Sequence, residues 1–192
     1  MQLLHPTRTT RARGARSSRV RQAALTLATF ALLSLAAVAC SGDSLLGPGS
    51  LGTGSLTASG AVSASGSGLA LFQSISSGGT SLFQIVIAPL SQSATTWQLQ
   101  IANYSGRLAV GTYNLSPLSG SSVDPTASFY YTSGGTMQMF NSTSGELVIT
   151  SSSSSAVRGT FTFTATDPAG GTGSVTAQGS FNAQCAPGVA CQ

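Results

Sequence analysis

The sequence predicts an all-β domain of mostly antiparallel strands behind a signal peptide and a flexible tether. The expected architecture is a β-sandwich, and the alternative is a small closed or partly open β-barrel. Three observations carry this. From about Leu56 onward, no stretch spaces its apolar residues by three and four. Short runs rich in Val, Ile, Phe, Tyr and Thr alternate apolar with polar residues instead. Glycine-rich turns separate these runs, and each run carries one apolar face that needs a partner layer.

The elements follow in order. Six of the eight basic residues are Arg8, Arg11, Arg13, Arg16, Arg19 and Arg21, and the chain has no lysine. Residues 23–39, "AALTLATFALLSLAAVA", form an uncharged apolar run of 17 residues that ends in small side chains. A membrane span needs about 20. Basic flank, short apolar core and small-residue exit together read as a signal peptide over 1–39. "AVAC" (37–40) then resembles the lipobox of bacterial lipoproteins. Ala39 and Val38 fit its pattern, while Ala37 stands where that family prefers leucine. The resemblance implies that Cys40 becomes the first mature residue and carries acyl chains. Ser41, where the sorting rule of Gram-negative lipoproteins looks for aspartate, implies the outer membrane. Cleavage after Ala37-Val38-Ala39 as an ordinary secreted or periplasmic protein, and an uncleaved anchor, are the other readings of the leader. Residues 40–55 continue as a Gly/Ser/Pro-rich tether.

The all-β domain is expected over 56–184. "SLFQIVIAP" (81–89) puts Phe83, Ile85 and Ile87 on one face. "TTWQLQIAN" (95–103) puts Trp97, Leu99 and Ile101 opposite Thr96, Gln98 and Gln100. "GTFTFTATD" (159–167) and "GSVTAQGSF" (173–181) alternate in the same way. Weaker strands are 56–64, 68–75, 109–115, 126–132, 136–141 and 145–151. "SSGGT" (76–80), "TSGGT" (132–136) and "DPAGGT" (167–172) supply the glycines that tight hairpins need. A membrane-spanning barrel is not indicated, because its strands need about ten residues each and aromatic girdles. The tail, 185–192, holds Cys185 and Cys191 around "APGVA". In an oxidising compartment such a pair tends to close. Free thiols or a metal role are the alternatives, but a Cys/His zinc site is excluded, since no histidine follows His5.

Function is bounded mainly by exclusion. From Cys40 onward two arginines face four acids, a formal −2, so the folded part has no basic face for nucleic acid. Without histidine or lysine there, Ser-His-Asp, Cys-His, Ser-Lys and Schiff-base devices are absent. Asp124 and Asp167 precede prolines and read as turn residues, and Glu146 follows Gly145 at a strand start. No metal site or cofactor is expected. The candidate binding residues are Trp97, Tyr104, Tyr113, Tyr130 and Tyr131, with ordinary packing as the alternative role. One of the adjacent Tyr130 and Tyr131 should face out of its sheet. Residues 156–183 are similar to the closing segment of small, uncharacterised bacterial lipoproteins, through Gly159, Thr160, Phe161, Phe163, Ala165, Gly179 and Phe181. That resemblance implies a β-sandwich-like lipoprotein domain without an assigned activity. The expectation is a lipid-anchored, non-enzymatic cell-envelope protein, structural or binding, whose partners are the membrane and a glycan or envelope protein. The alternative is a carbohydrate- or ligand-binding β module.

Overall fold

The computed structural model describes residues 51–192, apart from 78, 91–92, 118–122, 190 and 192. The expected signal peptide, Cys40 and the part of the expected tether up to residue 50 lie outside the described residues. Nine strands are described: β1 (Gly52–Gly60), β2 (Ala64–Ser77), β3 (Thr80–Ala88), β4 (Thr95–Asn103), β5 (Gly111–Asn114), β6 (Thr126–Ser133), β7 (Thr136–Ser152), β8 (Ala156–Thr166) and β9 (Ser174–Cys185). Alternation in sequence becomes alternation in burial. Along β8, Val157, Phe161, Phe163 and Ala165 are buried, while Arg158, Thr160 and Thr162 are exposed. The hairpin turns are also where glycines were expected. Gly134 and Gly135 have φ of 57° and 80°, which a side chain would resist.

The fold is all-β and closed. Neighbours run β7-β6-β4-β3-β2-β1-β9-β8, and β8 returns to β7, giving an eight-stranded barrel. Of the two architectures left open by the sequence, the barrel forms and the preferred sandwich does not. Alternating strands serve either one. The strand that decides is β7, which joins two weak candidates, 136–141 and 145–151, into 17 residues. One edge of β7 pairs with β6 through 136–141 and with β5 through 146–149, while the other pairs with β8. Such a strand leaves no edge on which a sheet could stop.

Ser142 marks the exchange from β6 to β5. The register of β7 against β8 shifts between Ser142 and Ser144, which fits a β-bulge. The buried Ser142 hydroxyl donates to Ser116 O at 2.8 Å and accepts from Ala127 N at 3.0 Å. It thereby ties the exit of β5 to the start of β6.

Side chains fill the interior, as expected at this strand number. Phe72, Phe83, Phe129, Phe163, Ile85, Leu99 and Leu147 are among the fully buried ones. Rings lie beside glycines in the adjoining strand, through the pairs Gly145↔Phe163, Gly159↔Phe181 and Gly179↔Phe161. A methyl at Gly179 would stand 2.6 Å from Phe161 Cζ and 2.0 Å from Ser55 O. The G-x-F-x-F pattern of the last thirty residues thus encodes tight ring-over-glycine packing.

β1 starts at Gly52, inside the segment assigned to the tether. The reason lies in those glycines. Gly52 and Gly54 face inward, where a methyl would come within 2.2 Å of Ala70 O and 2.7 Å of Ile87 Cγ2 respectively. Composition reads them as linker, whereas the barrel uses their lack of a side chain.

Candidate functional site

The barrel has two dissimilar ends. One is plugged by the C-terminal tail. Cys185 and Cys191 form a disulfide. Ala186 N donates to Phe72 O at 2.8 Å, and Cys185 N to Ser155 O at 3.0 Å. Arg107 locks the arrangement. Its guanidinium lies 5.3 Å from the centre of the Phe72 ring. It donates to Ser152 Oγ at 3.2 Å, to Cys191 O at 3.0 Å and to Ser153 O. These acceptors are neutral, and burial lowers the Arg107 pKa from its ordinary value.

The opposite end carries a notch in the wall. β3 pairs with β2 as far as Ala88↔Leu69, and Pro89 follows. Proline has no N–H to continue a ladder. β2 extends further, and Ala64 still pairs with Ala58 of β1. Among the described residues, 64–67 therefore have a strand on one side only. Gly68 permits the departure, because a methyl there would lie 2.0 Å from Ala88 O and 2.8 Å from Pro89 Cα. The space left is a cavity of about 400 Å³.

Trp97 and Tyr131 line this notch, along with Pro89, Ala64, Gly66 and the residues Ser63, Ser65, Ser67, Ser93 and Thr95. None of the lining side chains is charged. Trp97 and Tyr131 are cross-strand partners on the inward faces of β4 and β6. The indole reaches as far as Gly66 of β2. A methyl at Gly66 would be 3.9 Å from Trp97 Cζ2 and Nε1. Trp97 is 8% exposed, and its indole N–H has no acceptor among the described residues. Among the described residues the notch thus combines an aromatic floor, an indole N–H without an acceptor and a rim of small, uncharged residues.

The five candidate aromatics do not form one platform. Trp97 and Tyr131 meet at the notch. Tyr113 lies on β5 against the core, and its hydroxyl donates to Ala109 O at 2.9 Å. Tyr130 faces outward in register with Met139, as adjacency to the inward Tyr131 requires. Burial pushes its phenol above the ordinary value, and nearby Tyr104 adds to the rise against an opposing hydrogen bond with Ser128. Tyr104, 49% exposed, is also raised by burial.

The acids are dispersed by role. Asp124 Oδ2 accepts from Ser116 Oγ at 3.2 Å, and Asp167 Oδ1 accepts from Ala169 N at 2.8 Å. Glu146 lies in a shallow groove of about 430 Å³ on the outer wall, among Thr57, Thr160, Thr162, Gln178 and Ser180. That groove has one carboxyl, not the two that general acid and base chemistry on a glycoside needs. Among the described residues, no three His, Cys, Asp or Glu side chains group as a metal site.

The notch serines escape sequence reading because "ASGSG" (64–68) has loop composition. The available signal was Pro89, which ends one strand while its neighbour continues. A family model described as "Domain of unknown function (DUF6252)" matches residues 81–183. No curated protein and no solved structure matches the chain.

Proposed function

The chain belongs to the DUF6252 family, and on that premise we propose that it is a lipid-anchored, non-enzymatic protein of the cell envelope whose barrel holds a neutral ligand or partner segment in its notch. The notch is the observation that carries the binding reading. It is large enough for a small ligand, its lining is uncharged, and its indole N–H has no acceptor among the described residues. Burying a charged ligand there would leave that charge without a partner. The leader and the "AVAC" sequence support the anchor. Two or more acyl chains on Cys40 give stable attachment, where one is marginal. Ser41 favours the outer membrane.

Two measurements test this. Cys40→Ala should move the protein from the membrane fraction to a soluble or precursor pool. A mature-sized product that still fractionates with membranes overturns the anchor. Trp97 is the sole tryptophan, so its fluorescence reads the notch directly. Neutral oligosaccharides and short neutral peptides are the probes. One class should shift its emission, and Tyr131→Ala should weaken the response. No response to either class refutes the binding role.

A further inference from the structure

We propose that the occupant of the notch is an extended polypeptide segment that continues the line of β3 and pairs with the edge of β2 left open among the described residues. The inference rests on the notch being the binding site and names what fills it. Residues 64–67 offer strand backbone whose ladder partner, among the described residues, lies on the β1 side alone. Ser65, Gly66 and Ser67 are exposed. A strand edge presents N–H and C=O groups in alternation, and a polypeptide at the usual strand spacing of about 4.8 Å is the ligand whose own groups repeat to match. The segment takes the direction of β3, antiparallel to β2, and about four of its residues pair.

The floor restricts its side chains. Trp97 underlies the gap as far as Gly66, so residues of the segment that face inward must be small. The indole N–H, which has no acceptor among the described residues, would take a backbone carbonyl of the segment. The uncharged lining selects a neutral segment. A sugar residue stacks on an open ring face, whereas Trp97 leaves only 8% of its surface open. The partner is therefore a neutral, extended stretch of another protein, rich in small residues.

The test uses the ¹⁵N-labelled protein and a capped hexapeptide that alternates glycine and threonine, followed by NMR. The peptide should shift alternate amides of Ala64–Ser67 and the Trp97 indole, and slow hydrogen exchange at that edge. Two further peptides carry N-methyl groups on one or the other set of alternate amides. One of them should lose about tenfold in affinity, as expected for two lost hydrogen bonds, and the other should keep it. Equal binding by both methylated peptides overturns backbone pairing. Chitotetraose shifting the notch signals while the peptide does not overturns the polypeptide assignment and leaves the notch as a binding site. If neither probe moves those signals, this inference and the binding role both fall.

Discussion

Gly54→Ala, made alone and with Ile87→Ala, tests whether residues 52–55 are barrel wall or tether. The added methyl would stand 2.7 Å from Ile87 Cγ2 and 3.2 Å from its Cδ1. Carbon pairs prefer about 3.5–4.0 Å, so the overlap approaches an ångström. Ile87 is fully buried and cannot swing into solvent. Overpacking of this kind costs about 2 kcal/mol. Ile87→Ala alone opens a cavity and costs about 3 kcal/mol. In the double variant the new methyl occupies part of that cavity. The pair should then cost about 3 kcal/mol rather than the additive 5, a coupling of about 2 kcal/mol. Urea denaturation of the four proteins measures it, with the slope of free energy against urea held as the check on compactness. A tether gives the opposite sign, because replacing a flexible glycine by alanine stabilises by about 0.4–1 kcal/mol or does nothing. A neutral or stabilising Gly54→Ala, or strict additivity, refutes the inward placement of β1.

Reducing the Cys185–Cys191 bond, or replacing both by serine, should lower stability by about 2 kcal/mol, read as a fall in thermal midpoint. Arg107→Lys keeps the charge but loses the planar fork that serves three acceptors, so hydrogen exchange should rise in 153–155 and the tail. Unchanged exchange contradicts that locking role. The Tyr104 and Tyr130 phenols are raised in the folded state, so the unfolded chain ionises first. The stability they contribute is whole below about pH 10 and is lost as pH rises from there through the folded-state values. Tyr130→Phe should flatten that alkaline loss, and an identical profile would argue against it.

The strands with one apolar side chain at every second position were legible, because burial on one face writes itself into period two. β4 and β8 are examples. Closure was not legible, since it depends on which strand takes two partners, and the alternation of β7 is interrupted at Gly145 and the bulge. The start of β1 was misjudged because inward glycines and linker glycines look alike in composition. Trp97 and Tyr131 were flagged as aromatics. Their pairing required the register of β4 on β6, and their opening to solvent required the early end of β3. Tyr130 went elsewhere because strand parity turns it away from its neighbour Tyr131, Tyr104 because it lies in the turn after β4, and Tyr113 because it sits on β5, none of which a list of aromatics contains.

β9 is the last strand and β1 the first, and they pair along their length, from Thr53↔Asn182 to Gly60↔Val175. The hairpins β2–β3, β6–β7, β7–β8 and β8–β9 can all form from neighbouring sequence as it emerges. The ring itself cannot. Until residue 185 has left the ribosome and any translocation channel, β1 has only β2, and a growing array ends in two raw edges. Sequence-distant pairing of this kind is slow. The sheet therefore stays open until the final twelve-residue strand is available to pair with β1.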